Sequence, residues 1–252
     1  MSVATGTETR AVRAGGVRAL WAGNPQSVVQ RGLIAARSSS WAVVLSGFFE
    51  PVFYLASMGI GLGALIGTVE TTTGLEVSYA AFIAPALLAV SAMNGAIYDS
   101  TWNVFFKIRF AKLYEAMLAT SLGPLDVALG EISLALLRGG LYAAGFMVVM
   151  QVLGLALSWW ALLAIPAVLL IAFGFASVGM AVTSYLKSFQ EMDWINFVML
   201  PMFLFSATFY PLTVYPEPIQ WVIQALPLWH GVELVRGLTT GAVGPAMLVH
   251  VG

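Results

Sequence analysis

Long apolar runs limit what this chain can fold into more than any other feature. They cover Trp41–Gly67, Tyr79–Phe106, Ile132–Leu153, Ser158–Tyr185 and Trp194–Tyr210. A helix needs roughly 20 apolar residues to cross ~30 Å of hydrocarbon, so each run reads as a membrane span. A further run opens near Val243 and stops at Gly252, short of a full crossing. The same lengths argue against a membrane β-barrel, whose strands show only about 10 alternating residues. Composition agrees: 9% of residues are charged and 60% hydrophobic, against about 25% charged in soluble domains. The reading is an all-α integral membrane protein.

Several chemistries drop out at once. The net charge is −1, so no basic surface points to nucleic acid. There is no cysteine, hence no disulfide, thiolate metal site or Cys nucleophile. Two histidines add no metal-binding set. A phosphate-binding loop needs Gly-Lys-Ser/Thr. Lys107, Lys112 and Lys187 follow Phe106, Ala111 and Leu186 instead. Catalysis is therefore not expected in this chain, and any ATP chemistry would sit on a partner.

Basic residues set the expected orientation, because Lys and Arg favour the cytoplasmic side. Arg10, Arg13, Arg18, Arg31 and Arg37 precede the first run; Lys107, Arg109 and Lys112 follow the second; Lys187 lies between the fourth and fifth. The loop after the first run has Glu70 and Glu76 but no Lys or Arg, and beyond the fifth run only Arg236 is basic. The first 40 residues hold no apolar run of signal-peptide length. The expected arrangement is a multi-pass protein of the cell inner (plasma) membrane, with a cytoplasmic N-terminus. Trp159, Trp160 and Trp194 fall where interfacial aromatics are expected.

Three segments are not spans. Residues 1–23 read as a cytoplasmic tail, and 24–38 as an amphipathic helix lying in the inner interface. Asn24 would cap it, with Pro25 at its first position. Val28, Val29, Gly32, Leu33 and Ala36 share one face; Gln30, Arg31 and Arg37 share the other, and Ile34 is the exception. Phe106–Glu131 is the longest loop on that side, with a candidate coupling segment at about 106–122. Lys112, Tyr114, Glu115 and Leu118 fit a short helix before the Gly123–Pro124 break. Its apolar residues beside charges, among them Leu113, Met117, Leu118 and Leu122, suggest a protein-docking surface. The third segment spans about 211–238. Pro211, Pro216, Pro218 and Pro227 divide it into pieces of about half a bilayer. Pro218–Leu226 is apolar apart from Gln220 and Gln224. Leu228–Leu238 carries His230, Glu233 and Arg236 on one side. Such pieces dip into a leaflet and return, so a re-entrant helical hairpin on the outer side is expected.

Three ionisable residues fall inside spans. Glu50 and Asp99 are candidate functional carboxylates, but the structural reading is favoured for both: Glu50 paired within the bundle or near its inner end, Asp99 near the inner interface. Arg138 is placed to snorkel or to pair with a carboxylate. Met93, Met147, Met150, Met199 and Met202 read mainly as packing.

Four motifs in order, EPVFYLASMGIGLG (Glu50–Gly63), YAAFIAPALLAVSAM (Tyr79–Met93), YEAMLATSLGPLDVALGEI (Tyr114–Ile132) and LPLWHGVELVRGL (Leu226–Leu238), resemble ABC-2 type transporter permeases, closest to the nodulation-factor and daunorubicin exporter branch. The resemblance runs from about Asn24 onward and implies a six-span (type V exporter) transmembrane domain, here 41–252, with the sixth span incomplete. It implies an ATP-driven exporter of amphiphilic or hydrophobic substrates: drugs, lipids or lipo-oligosaccharides. It implies separate ATP-binding subunits holding ATP and Mg, and a second permease copy or a paralogous permease. Coupling to the ATPase would fall on Lys112, Tyr114, Glu115, Met117, Leu118 and Thr120. An external gate would fall on Ile219, Trp221, Pro227, His230, Glu233 and Arg236. One departure is Ser121, which stands where the family commonly has Pro after Leu-Ala-Thr; here Pro124 comes later. The alternative is a proton-coupled secondary efflux transporter using Glu50 or Asp99, which would usually show two related halves; none is visible.

Overall fold

The computed structural model describes residues 20–37 and 49–250. Most of the expected N-terminal tail, the Trp41 start of the first run and residues 251–252 lie outside them. Helix α1 is Pro25–Arg37. It starts at the proline, whose missing N–H and fixed φ suit a first helical position.

Among the described residues, four helices are long and apolar enough to cross a membrane. They are α2 (Phe49–Ile66), α3 (Tyr79–Arg109), α5 (Pro124–Val152) and α6 (Trp159–Tyr185). The middle of α2, Leu55–Leu62, is wound as a π-helix. A short antiparallel hairpin joins α2 to α3: β1 (Thr68–Glu70) pairs with β2 (Glu76–Ser78), Val69 opposite Val77. Ser78 then caps α3, its Oγ accepting the Ala81 N–H at 3.3 Å.

Helix α3 is the centre of the bundle. Every residue from Ala81 to Val90 is buried, and α5, α6 and α9 (Pro227–Thr240) all pack on it. In lipid, helices associate through close packing rather than hydrophobic exclusion, so small residues fall at the contacts. Ala81, Ala84, Ala86, Ala89, Ala92 and Ala96 supply them here. Lower down, α6 meets α3 at Gly179, where a Cβ would lie 2.2 Å from the Ser100 Oγ. The methionines Met93, Met147, Met150 and Met202 fill this core.

The remaining helices are short. They are α4 (Leu113–Leu118), α7 (Asp193–Leu204) and α8 (Glu217–Gln224). The hairpin expected from the prolines is therefore α8–α9, with Pro227 at the first position of α9. Helix α5 begins at Pro124 rather than Ile132. The Gly123–Pro124 pair that ends the preceding segment also starts this one, with Gly at the cap and Pro at the first helical position. The fifth apolar run is helical only to Leu204. Its 12 helical residues make about 18 Å, and the chain then continues through an irregular segment in which Ser206, Ala207 and Thr208 are buried. Beyond Val243 the chain forms a 3-10 turn, Pro245–His250.

Candidate functional site

The described ion pairs and the one cleft they line fall in three places: a cleft between α2, α3 and α5, a cluster at the Lys/Arg-rich end, and an Arg236-centred cluster at the opposite end.

The cleft, about 490 Å³, opens between α2, α3 and α5. Glu50, Tyr54, Tyr98, Asp99, Arg138 and Tyr142 line it, with Phe203 of α7 closing one side. Asp99 begins a π-helical turn, Asp99–Asn103, inside α3. Such turns free backbone groups and re-aim side chains, and they recur at functional sites. Thr101 donates to the Ile97 carbonyl at 2.6 Å, and Thr183 of α6 to the Ser100 carbonyl at 3.2 Å. The carboxylate of Asp99 accepts from Asn103 Nδ2 and from Arg138 Nη1, both at 2.6 Å. Arg138 thus pairs with a carboxylate inside the bundle, one of the two outcomes read from its position.

At the basic end, Glu131 of α5 is buried and binds two cations: Lys107 Nζ at 2.5 Å and Arg31 Nη2 at 3.3 Å. This joins α1, α3 and α5. Asp126 completes the join. Its carboxylate is fully buried and accepts backbone N–H groups from Ala22 (2.7 Å), Gly23 (3.1 Å), Asn24 (2.9 Å) and Gly123 (2.9 Å). A carboxylate at the third position of a helix satisfies free N–H groups and favours the helix dipole. Here it also holds the start of α1. Close packing follows: Val28 is fully buried, and a Cβ on Gly130 would lie 2.5 Å from the Val28 Cβ.

Helix α4 rests on this assembly. Tyr114 and Met117 are buried with Val28, Val104 and Val127. Burial first, and then the Glu131 carboxylate, holds the Tyr114 phenol above its ordinary pKa. Lys112, Glu115, Leu118 and Thr120 are exposed. The six residues named for coupling therefore divide: two anchor α4, and four face outward. Lys112 itself adopts a left-handed conformation, φ 47°, as the cap of α4.

At the opposite end Arg236 is the centre. Its side chain is 2% exposed and pairs with Glu233 one turn earlier. It also donates to the Ala207 carbonyl at 2.9 Å and the Phe82 carbonyl at 3.3 Å, and stacks 3.9 Å over the Phe82 ring. Glu233 accepts from Thr72 Oγ1 at 2.6 Å. Four segments thus meet on one ion pair: α9, α3, the β1–β2 turn and the chain after α7. His230 lies on the same helix, its Nδ1 2.9 Å from that of His250. Trp229 packs edge-on against both rings. Ile219 and Trp221 are exposed, Trp221 at 75%, and Pro227 is exposed at the α8–α9 corner.

Glu131, Asp126, Lys107 and Thr72 were not among the residues expected to form a site. The signal available for the acidic pair was their place in the first two turns of α5, visible only once Pro124 is read as a helix start.

A sequence profile of the family described as ABC-2 type transporter matches residues 26–239. Nodulation protein J of Rhizobium leguminosarum bv. viciae is 32% identical over 241 residues, covering 94% of this chain and 91% of that protein. Nodulation protein J of Rhizobium leguminosarum bv. trifolii is 33% identical over 228 residues, covering 90% and 85%. That of Rhizobium meliloti (strain 1021) is 32% identical over 228 residues, covering 90% and 83%.

Proposed function

The chain belongs to the ABC-2 type transporter family, and from that premise we propose that it is the transmembrane permease of an ATP-driven exporter. It carries amphiphilic or hydrophobic cargo from the cytoplasm or inner leaflet. ATP and Mg act on separate ATP-binding subunits, and a second permease chain completes the pathway. In this reading the arrangement is the six-span, type V one of the inner membrane. Its parts are a tail (1–23), an interface helix (24–38) and a transmembrane domain (41–252), with coupling at 106–122 and an external re-entrant hairpin at 211–238.

The observation that carries the reading is the presentation of α4. A six-residue helix has little stability of its own. This one is pinned from beneath by Tyr114 and Met117 against Val28 of α1, and α1 is itself fastened to α5 through Asp126 and Glu131. Pushed from outside, α4 moves with α1 and α5 and so transmits force into the bundle. Its exposed Leu118, between Glu115 and Thr120, offers an apolar contact of the kind that dominates binding energy at an interface.

The test is orientation with partner capture. The chain has no cysteine, so single cysteines report cleanly. Thr73→Cys and Glu217→Cys, both exposed, are expected to react with an impermeant maleimide in intact cells, and Lys112→Cys only after permeabilisation. A co-expressed Walker-motif ATPase should co-purify with the chain. Equal labelling of Lys112→Cys from outside would place α4 on the wrong side for an ATPase and end the reading.

A further inference from the structure

Among the described residues, the cleft between α2, α3 and α5 holds one carboxylate outside any ion pair. Glu50, Asp99 and Arg138 line the same space. Asp99 and Arg138 neutralise each other at 2.6 Å, with Asn103 holding the Asp99 carboxylate from below. Lys107 and Arg31 are both engaged on Glu131. Glu50 has no ion pair among the described residues, yet it is exposed on the cleft wall. A carboxylate inside a membrane span is costly unless a cation or water meets it.

The remaining wall suits a cation with an apolar body. Tyr54, Tyr98, Tyr142 and Phe203 bring aromatic rings to the cleft, and the negative face of an aromatic ring attracts a cation within about 6 Å of its centre. Leu87, Leu88, Val90 and Ala135 supply apolar wall, and Ser91 and Asn94 add two neutral polar side chains. An anionic head would find Arg138 already taken by Asp99.

We propose that this cleft binds amphiphiles through a positively charged head, a quaternary onium or protonated amine set against Glu50 and the tyrosine rings, with the apolar body along α3 and α5. This names the charge class of the cargo and rests on the exporter reading for the transport that follows binding.

Tetraphenylphosphonium and tetraphenylborate test it, since they share shape and apolar surface and differ in the sign of charge. Binding of each is measured by equilibrium dialysis to the full chain in nanodiscs of zwitterionic lipid, with empty nanodiscs subtracted. The phosphonium is expected to bind about 10-fold or more tightly than the borate. Glu50→Gln should weaken phosphonium binding about 10-fold and leave the borate unchanged, and Tyr54→Leu should weaken it several-fold. The paired change Asp99→Asn with Arg138→Gln, which keeps the cleft's net charge, should retain the preference. Equal binding of the two probes overturns the proposal. So does wild-type phosphonium affinity in Glu50→Gln, the result expected if Glu50 serves contact with a second permease chain. Binding here needs neither ATP nor a partner, so failure of the site leaves the exporter reading standing, and failure of the exporter leaves the binding result intact.

Discussion

Arg236 donates from Nη2 to the carbonyl oxygen of Ala207 at 2.9 Å, across 29 residues of chain. Ala207 is fully buried and holds φ at 53°, a left-handed conformation that costs a non-glycine residue roughly 1–2 kcal/mol. The arginine contact accounts for its persistence. The buried guanidinium closes the irregular chain after α7 onto α9, while Glu233 neutralises it.

Removing one partner of a buried pair leaves a charge without compensation and costs about 3–5 kcal/mol. Arg236→Ala should therefore lower the apparent Tm in detergent markedly. Arg236→Lys, which keeps the charge but loses the fork that reaches Glu233, Ala207 and Phe82, should fall between that variant and the wild type. An Arg236→Ala protein melting like the wild type would show that this cluster contributes nothing.

The α1–α5 contact makes an opposite pair of predictions for two glycines. Gly130 faces Val28 at a distance that no Cβ tolerates, with the Pro25 carbonyl 3.1 Å away. Gly130→Ala should force α1 outward and cost about 1–3 kcal/mol by overpacking. Gly174 of α6 has nothing within 4 Å, so Gly174→Ala should be neutral or stabilising by up to about 1 kcal/mol. Thermal unfolding of the two variants side by side checks both. A Gly130→Ala protein as stable as Gly174→Ala would contradict the close contact.

The split within α4 predicts two distinct failures. Met117→Asp buries a carboxylate among Val28, Val104 and Val127, so it should destabilise the basic end whether or not a partner is present. Leu118 is 45% exposed, so Leu118→Asp should leave the melting temperature unchanged and weaken capture of the ATP-binding subunit. Pull-down and thermal unfolding on both variants separate the roles. Normal capture by Leu118→Asp would remove α4 from the interface.

The long helices and the break between α8 and α9 are legible because their causes are local. An apolar run sets a helix's length, and a proline sets its boundary. The start of α5 was misplaced because Gly123–Pro124 was read only as an end, although the same two residues suit a helix start. The β1–β2 hairpin has three-residue strands, too short for a visible alternation. Helix α7 stops early: the Ser206 and Thr208 hydroxyls donate back to the Met202 and Phe203 carbonyls of its last turn, and the carbonyl of Ala207 accepts from a side chain 29 residues away. Glu131 and Asp126 escape a local reading for the same reason: Arg31 on Glu131 and the Ala22 N–H on Asp126 come from 100 and 104 residues upstream, and Lys107 reaches Glu131 from another helix. Spacing alone puts Glu233 and Arg236 on one helix face, three residues apart, but neither the Asp99 partner of Arg138 nor the Thr72 and Ala207 contacts of the Glu233–Arg236 pair can be read from it.

The source of energy separates an ATP-driven exporter from a proton-coupled transporter most directly. The chain and its Walker-motif partner, reconstituted in proteoliposomes with the permease's basic end outward, should accumulate a fluorescent cationic amphiphile only when ATP and Mg are supplied outside. Accumulation should persist when the proton gradient is collapsed, and should be absent with a partner unable to hydrolyse ATP. Accumulation driven by an imposed pH gradient without ATP, and abolished by Glu50→Gln or Asp99→Asn, would contradict the account and identify a proton-coupled transporter instead.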